Sequence, residues 1–456
     1  MIKELFNMID LENPELTGQH TPDPLRYAFK RKGGAHSGGG ACPIAKEETQ
    51  SRLTQALSES VDTRSPRCLY IHIPFCRVRC TYCNFFQYAS STKLMDTYFE
   101  ALKTEIKRKS AETWTQSAPF HAVYVGGGTP TDLSGAQLRQ LGQMIHQHFP
   151  LTPDCEVTLE GRINRFGEEK FEAALEGGFS RFSFGIQSFN TQVRRAAKRL
   201  DDGDVALERI QNMVSYNSAP VVIDLLFGLP HQTLDIWRKD LELYLESGAD
   251  GVDLYQLIDM KGLPMQQMVE QGKLPAPADT ATKATMFEMG VNFMAKHYQR
   301  RLSCNHWARG NRERSIYNSL AKTTAEVLPV GAGAGGNVSG LQMMQTRNME
   351  DYIQAVESEQ YPVAMLMLAD ANREITSCIR AAFDRGVLSK QVLNQTAGWD
   401  IYSAAMPLFD KWQTNGLVRI DGDYIALTLA GEFWNVNLAQ NLINAASSLN
   451  RSRIAA

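Results

Sequence analysis

Three cysteines lie close together in the stretch YIHIPFCRVRCTYCNFF, which runs from Tyr70 to Phe86. Their spacing, Cys76-x3-Cys80-x2-Cys83, allows one loop to direct several thiolates toward a common metal centre. Three protein ligands on a [4Fe–4S] cluster would leave one iron free to bind a small molecule. A zinc site completed by His72, four residues before Cys76, is the alternative that the spacing leaves open.

The composition of the chain excludes several classes of protein. Its 456 residues are 43% hydrophobic and 21% charged, and the net charge of −3 does not favour nucleic acid as a partner. No apolar run approaches ~18 residues and the N-terminus lacks a signal-peptide pattern, so we expect a cytoplasmic protein with no membrane insertion. Without an export signal, the cysteine trio is more typical of metal binding or catalysis than of disulfides.

Short β-rich apolar runs alternate with stretches of helical periodicity from Arg67 onward, which predicts βα units and a parallel sheet. The predicted strands are 68–73, 122–127, 155–160, 181–186, 220–228 and 251–257. The predicted helices are 93–109, 135–148, 167–177, 203–216 and 233–247. Six such repeats indicate an α/β fold, a partial (β/α)6 barrel with its functional residues at the C-terminal ends of the strands.

The remaining sequence predicts further segments around this barrel, which we place at 67–260. Residues 1–66 are expected to form an irregular extension without its own core, and 261–371 a connector and barrel-completing segment with a helix near 279–298. Residues 372–456 are predicted to be a helical domain with a hairpin about Asp421 and Gly422. Helices with a hairpin are typical of an α+β winged-helix-like module, but this tail has no basic stripe that would indicate DNA binding.

The cysteine loop resembles the cluster-binding motif of radical S-adenosylmethionine (radical SAM) enzymes, C-x3-C-x-aromatic-C, with Tyr82 as the aromatic residue. It is similar in particular to the branch of oxygen-independent coproporphyrinogen dehydrogenases, because further motifs of that branch follow in order at the predicted strand ends. These motifs are GGGTPT (126–131), LE (159–160), SFGIQSFN (183–190) and DLLFGLPHQT (224–233). The likeness covers roughly residues 67–310 and, more weakly, the C-terminal module.

The resemblance implies a [4Fe–4S] cluster on Cys76, Cys80 and Cys83, whose open iron binds S-adenosylmethionine and cleaves it to a 5′-deoxyadenosyl radical. It implies that Tyr70, Gly127 and Glu160 lie near this first S-adenosylmethionine, whereas Gly128 and Thr129 face a second ligand. Contacts to a second S-adenosylmethionine are implied at Gln187, Arg199, Asp224 and Ile258.

The residue types agree with these roles. Glycines allow the backbone to approach a ligand closely, and a carboxylate such as Glu160 at the end of a buried strand needs a partner. A strand-end cap remains an alternative for Asp224, and a solvated helix-face cation for Arg199.

Within this branch the sequence is most similar to anaerobic haem-degrading radical SAM methyltransferases. The similarity lies in DPLRYAF…GGACP, LEGR (159–162) and GAGAGGNVSG (331–340). It implies that the radical takes hydrogen from the methyl group of a second S-adenosylmethionine. The methylene radical then adds to a porphyrin meso carbon of haem, and the ring opens to a linear tetrapyrrole with release of iron. A flavodoxin-type or NADPH-linked donor would supply electrons.

Two other members of the branch remain alternatives. Oxygen-independent coproporphyrinogen III dehydrogenase carries a further cysteine at the position of Phe85. The haem chaperone usually begins almost directly at the cysteine strand, and its E-x-S-N motif is altered here to LSCNHWAR (302–309).

Residues that would contact haem are harder to identify. His36, Cys42 and His306 are candidate iron ligands, although a flexible glycine-rich arm with an incidental histidine is the alternative for His36. Basic residues that could meet propionates, or simply form a solvated face, are Arg26, Lys30, Arg31 and Lys32. Four other cysteines are expected to be small hydrophobic residues in the interior, namely Cys68, Cys155, Cys304 and Cys378. The methionine-rich stretch at 341–349 is expected to pack in the core or a lid.

Overall fold

The computed structural model describes residues 10–33, 41–60 and 65–455. The N-terminal segment, residues 10–33 and 41–60, contains α1 (Pro14–Thr17), α2 (Pro24–Tyr27), β1 (Cys42–Pro43) and α3 (Thr49–Ser58). Its apolar residues pack on the C-terminal part of the chain. The rings of Phe29 and Trp434 lie 5.4 Å apart, and the Trp434 indole donates a hydrogen bond of 3.0 Å to the Leu25 carbonyl.

The central part of the chain alternates strands and helices. Its strands are β2 (Arg67–Ile73), β3 (Phe75–Cys76), β4 (Tyr88–Ala89), β5 (Phe120–Gly127), β6 (Leu151–Gly161), β7 (Arg181–Gln187), β8 (Val221–Phe227) and β9 (Gly251–Gln256). Its helices are α4 (Thr92–Ser110), α5 (Thr113–Gln116), α6 (Gly135–His148), α7 (Glu168–Gly177), α8 (Thr191–Ala196), α9 (Gly203–Ser215) and α10 (Leu234–Ser247). The six predicted strands and five predicted helices of this region are confirmed, with ends displaced by a few residues.

The strands β2, β5, β6, β7, β8 and β9 are neighbours in this order, and each pair is parallel. Parallel strands are covered on both faces, which explains their almost continuous apolar sequence. The surrounding helices have clear sequence signals at their ends. Ser134 and Gln137 form a capping box at the start of α6, and Gly248, with φ 74°, ends α10. The carboxyl ends of all six strands therefore meet at one edge of the curved sheet.

The sheet does not close into a full barrel but continues on both sides to 13 strands. The elements of this part are α11 (Pro264–Glu270), α12 (Thr280–Lys296), β10 (Arg300–Arg301), β11 (His306–Ala308), α13 (Ile316–Leu320), β12 (Glu326–Val330), β13 (Gly335–Val338), β14 (Leu341–Gln345), α14 (Met349–Glu357) and β15 (Val363–Leu368). β11 extends the sheet beyond β9, and β12 pairs in parallel with β2. The sequence pattern predicted α12 but none of the strands β10 to β15.

The C-terminal module combines helices with a small sheet. It contains α15 (Arg373–Asp384), β16 (Val387–Ser389), α16 (Lys390–Ala397), α17 (Ile401–Thr414), β17 (Val418–Asp421), β18 (Tyr424–Leu427), α18 (Leu429–Phe433) and α19 (Asn435–Ala455). The predicted hairpin is confirmed, because β17 and β18 pair antiparallel around Asp421 and Tyr424. β16 adds a third strand on the other side of β18.

Two buried ion pairs connect strands of the sheet to other elements of the chain. At the start of β7, Arg181 donates two hydrogen bonds of 2.9 Å to the carboxylate of Glu313, which lies just before α13. On α4, Lys109 pairs with Glu105 at 2.8 Å and donates to the Gln345 side chain on β14. Since all of these groups are buried, each charge is compensated within the fold.

The described helices include none that is both long enough and apolar enough to cross a membrane.

We expect the substitution Glu313→Gln to lower the free energy of unfolding by about 3 kcal/mol, because the buried guanidinium of Arg181 loses the carboxylate to which it donates hydrogen bonds and keeps only the more distant Glu156, at 3.9 Å. Urea denaturation followed by circular dichroism measures this change. Arg238→Gln removes the exposed ion pair with Asp235, whose side chains are 53% and 86% exposed, and serves as the control. It should cost less than about 1 kcal/mol. Equal losses for the two variants would contradict the role assigned to the buried pair.

Candidate active site

A cavity of about 350 Å³ opens at the carboxyl ends of the barrel strands. Eleven of the thirteen residues expected to bind the cluster or S-adenosylmethionine line it, namely Cys76, Cys80, Tyr82, Cys83, Gly127, Gly128, Glu160, Gln187, Arg199, Asp224 and Ile258. The other two lie beside it. The hydroxyl of Thr129 donates to the sulfur of Cys76, and Tyr70 stands in the barrel interior, where its ring stacks on that of Tyr124. The fold thus gathers residues that are far apart in sequence.

The loop that carries the cysteines is fixed at both ends. It begins and ends in a short ladder in which Phe75 pairs with Tyr88 and Cys76 with Ala89. The carboxylate of Asp132 accepts two hydrogen bonds from this loop, one of 3.0 Å from Arg77 and one of 2.7 Å from the Ser90 hydroxyl. Such a loop can present three sulfurs to one centre without large rearrangement.

The surroundings of the three sulfurs differ, and they favour the thiolate at Cys80. The Thr129 hydroxyl donates to Cys76 and the Phe85 backbone N–H donates to Cys83, each at 3.3 Å. Burial opposes ionisation of Cys80, but the positive charges of Arg199 and Arg162 outweigh it and lower the pKa of this thiol. Burial raises the pKa of Cys76. Because thiolates are the form that ligates iron, Cys80 is the sulfur whose surroundings favour binding to a cluster.

The arrangement does not support the zinc alternative. Among residues 10–33, 41–60 and 65–455, no group of three His, Cys, Asp or Glu side chains is arranged to hold a single metal ion. The ring of His72 is occupied, since its Nδ1 lies 2.9 Å from the Tyr70 hydroxyl and its Nε2 3.3 Å from Gln87. Burial lowers the pKa of His72 to about 4. Both ring nitrogens of His72 thus lie beside other side chains, so His72 is not free to complete a site on the three thiols.

Two glycines at the end of β5 show why the sequence GGGTP is needed. Gly127 has φ 114°, a conformation that other residues rarely adopt, and a Cβ there would lie 2.6 Å from the His72 ring. A Cβ on Gly128 would lie 2.4 Å from the Phe75 carbonyl oxygen. Only glycine lets this strand end pass so close to the cysteine loop and the cavity.

A buried cation lines the cavity beside the cysteine loop. Arg199 donates a hydrogen bond of 2.8 Å to the hydroxyl of Tyr82, two residues after Cys80. Its Nε is buried and has no hydrogen-bond partner within the described part of the chain. Gln187 is the last residue of β7, where the strand is irregular, and its φ is 71°. An orphaned donor next to the thiols fits a polar ligand in this cavity.

Carboxylates form the third part of the wall. Burial raises the pKa of Glu160, although the Gly127 backbone N–H and the Tyr124 hydroxyl donate hydrogen bonds to its carboxylate. Burial also raises the pKa of Asp224 to about 8, and the neighbouring carboxylates of Asp253 and Glu160 add to the effect. Buried carboxylates in these surroundings are stabilised by a cationic or hydroxyl-bearing ligand.

His306 lies beneath this wall, on β11. Its Nδ1 is 2.8 Å from the Asp253 carboxylate and its Nε2 is 3.2 Å from Glu313. Burial lowers the pKa of His306, but the two carboxylates outweigh it and raise the pKa to about 9. As an iron ligand, the candidate role from sequence, His306 would have to give up a carboxylate contact, and it does not line the cavity.

The other haem candidates that the structure describes do not line the cavity. His36 lies outside the described residues. Cys42 is exposed at the edge of the sheet, where it pairs with Leu368. Of the basic residues, Arg26 forms ion pairs with Asp23 and Glu288. Lys32 donates a hydrogen bond of 2.8 Å to the side chain of Gln256, at the end of β9. Of the four remaining cysteines, Cys68 and Cys304 are buried and Cys155 and Cys378 partly so.

Several side chains of the site were not identified from sequence. Arg162 and Tyr255 line the cavity, and Tyr124 stacks on Tyr317 of α13 at 4.7 Å in the barrel interior. The sequence contained a signal for Arg162 and Tyr255. Arg162 follows Glu160 by two positions in LEGR, and Tyr255 is the second-last residue of β9. The position of Tyr317 depends on α13 entering the barrel, which no local pattern indicated.

Known proteins share this fold. The Escherichia coli coproporphyrinogen III oxidase HemN, a solved structure, superposes with a TM-score of 0.75 at 20% identity, covering 88% of this chain and 94% of that one. This likeness shows the fold.

Among curated sequences, the anaerobilin synthase of Escherichia coli O157:H7 is 36% identical over 416 residues, 91% of this chain and 92% of that protein. The haem chaperone HemW of Bacillus subtilis is 29% identical over 297 residues, 64% of this chain and 76% of that protein. Residues 70–244 match the sequence model of the Radical SAM superfamily, whose members use a [4Fe–4S] cluster and S-adenosylmethionine. By this match and by the extent of the similarity to its relatives, the chain belongs to the radical SAM superfamily.

Proposed function

We propose that this protein degrades haem without oxygen. It is a radical SAM C-methyltransferase that uses two S-adenosylmethionines to methylate a porphyrin meso carbon and open the ring to a linear tetrapyrrole, with release of iron. The observation that carries the proposal is the 36% identity to anaerobilin synthase over 92% of that protein. Phe85, where the coproporphyrinogen dehydrogenases carry cysteine, supports it against that alternative. A flavodoxin-type or NADPH-linked donor supplies the electrons.

The wall near the cysteines suits the first S-adenosylmethionine. When bound, the cluster and this molecule supply a radical that abstracts hydrogen from an unactivated carbon. Cys76, Cys80 and Cys83 would hold the cluster. The glycine backbone at Gly127 admits the methionine part, and the Glu160 carboxylate pairs with cationic or hydroxyl groups of the ligand.

A second group of lining residues suits the second S-adenosylmethionine. Arg199 offers its orphaned Nε to a carboxylate, and Asp224 offers an acceptor to the hydroxyl or cationic groups. Gln187 and Ile258 line the space between them. A carrier that only binds haem has no need for this second set of contacts.

The proposal predicts loss of the Soret band when reconstituted, reduced protein is incubated anaerobically with S-adenosylmethionine and haem. 5′-Deoxyadenosine and a methylated open-chain tetrapyrrole should appear together, as measured by chromatography and mass spectrometry. Cys83→Ala removes a cluster ligand and should abolish both products. Cys378→Ala, at a cysteine outside the cavity, is the matched control and should retain them.

Other results of the same assay would favour the alternatives. Bound haem with an unchanged Soret spectrum would indicate a haem chaperone. Conversion of coproporphyrinogen III, with haem untouched, would indicate a dehydrogenase. Iron-free, zinc-containing protein from anaerobic purification would overturn the cluster itself.

The second S-adenosylmethionine should bind more tightly as the pH rises. With a pKa of about 8, Asp224 is mostly protonated at pH 7 and mostly ionised at pH 8.5. Since the ionised carboxylate binds a sulfonium cation more strongly, the affinity should increase about eightfold over this interval if only the ionised form binds. Equilibrium dialysis with labelled S-adenosylmethionine, at more than one equivalent per chain, measures the effect.

Asp224→Asn is the control for this measurement, because an amide does not titrate. Its affinity for the second equivalent should be weak and independent of pH, while the first equivalent still binds. The same pH dependence in the wild type and in Asp224→Asn would show that another group is responsible.

A further inference from the structure

Large apolar side chains are exposed around the mouth of the active-site cavity. The exposed fractions are 58% for Phe85, 40% for Tyr255, 40% for Ile258 and 37% for Met260, and all four line the cavity. Phe85 comes from the cysteine loop, and the others come from the end of β9 and the residues that follow it. Clustered apolar surface of this kind is typical of a binding site for an apolar ligand.

This mouth continues into a second cavity of about 340 Å³ between the cysteine loop and α11. The two cavities share Tyr82, Leu257, Ile258 and Met260 as common wall. The second cavity adds apolar side chains of α11 and the residues before it, namely Leu263, Met265 and Val269. Each cavity has the size of a small-molecule site, so the first can hold the cofactor while the second remains free for a further ligand.

The charged groups of the second cavity differ in whether they are paired. The Asp259 carboxylate accepts a hydrogen bond of 2.8 Å from the buried Lys283, and Glu270 accepts one of 2.8 Å from Gln266. Lys261 is exposed and has no ion-pair partner in the described part of the chain. An anionic group on the ligand would therefore find one free cation here.

We propose that this second cavity, which we call the α11 groove, binds the tetrapyrrole substrate. The inference rests on the proposed function and assigns its substrate site. Met260 and Val269 contact the apolar macrocycle, and Lys261 pairs with a propionate. The macrocycle then reaches from the groove, past Tyr82 and Ile258, to the cavity where the radical is formed. Methionine suits such a contact because its flexible, polarisable side chain adapts to a flat ring.

Haem titration of the reconstituted protein, anaerobically and without S-adenosylmethionine so that no turnover occurs, tests the proposal through the Soret band. Met260→Ala and Val269→Ala should each weaken haem binding by up to about tenfold, since each removes apolar contact area. Met268→Ala is the matched control, because Met268 lies on the same helix but lines neither cavity. It should bind haem as the wild type does.

Haem dimethyl ester separates the contribution of charge from that of apolar contact. Lys261→Gln should weaken haem binding roughly three- to fivefold and leave binding of the ester unchanged, because the esterified propionates carry no charge. Met260→Ala should weaken binding of both ligands. Circular dichroism of each variant shows whether its fold is intact.

The outcomes distinguish the substrate site from the function. If the wild type consumes haem but the Met260 and Val269 variants bind it within twofold of the wild type, the groove assignment is overturned and the proposed function stands. If the wild type neither binds nor consumes haem, both fall. Equal weakening by Met268→Ala would also overturn the assignment, since it would show a general effect of α11.

Discussion

The guanidinium of Arg181 enters the floor of the barrel between the carboxylates of Glu156 and Glu313, and the charges above it depend on this contact. A buried cation is stable only with such partners. Glu313, whose pKa Arg181 lowers to about 2 against the effect of burial, also lies beside His306. His306 in turn pairs with Asp253, which neighbours Asp224 in the register of β8 and β9. Ionisation at the cavity wall is therefore connected to the packing of the floor.

Carboxylates and cations lie together in the interior of the barrel. Among the described residues, the carboxylates include Glu156, Glu160, Asp224, Asp253 and Glu313, and the cations include Arg162, Arg181, Arg199 and His306. A positively charged ligand favours the ionised form of Glu160 and Asp224, and S-adenosylmethionine carries a sulfonium and an ammonium. The mouth has the opposite character, with exposed apolar rings and chains. The site thus divides between a charged floor that suits the cofactor and an apolar mouth that suits an extended, flat substrate.

The sequence predicted the repeating part of the fold well because strands and helices of the barrel carry strong periodic patterns and clear end signals such as Ser134 and Gly248. It also identified eleven of the residues that line the cavity, because motifs at strand ends stand out when their order is considered together. It failed where the structure depends on contacts between distant segments. The strand β12 joins the sheet by pairing with β2, and the short strands β13 to β15, which are rich in glycine or methionine, follow from β12 by successive pairing. His306 looked like a possible ligand because nothing local shows that Asp253 and Glu313 enclose it.

The packing of the N-terminal segment on the C-terminal module has a consequence for synthesis of the chain. Leu25 is made early. Trp434, whose indole N–H donates a hydrogen bond to the Leu25 carbonyl, follows 409 residues later. At translation rates of roughly 5–20 residues per second, the interval is about 20–80 s. During that time Leu25 and Phe29 lack their native partner and remain available to chaperones at the ribosome. Folding of the beginning of this protein is completed only when its end has been made.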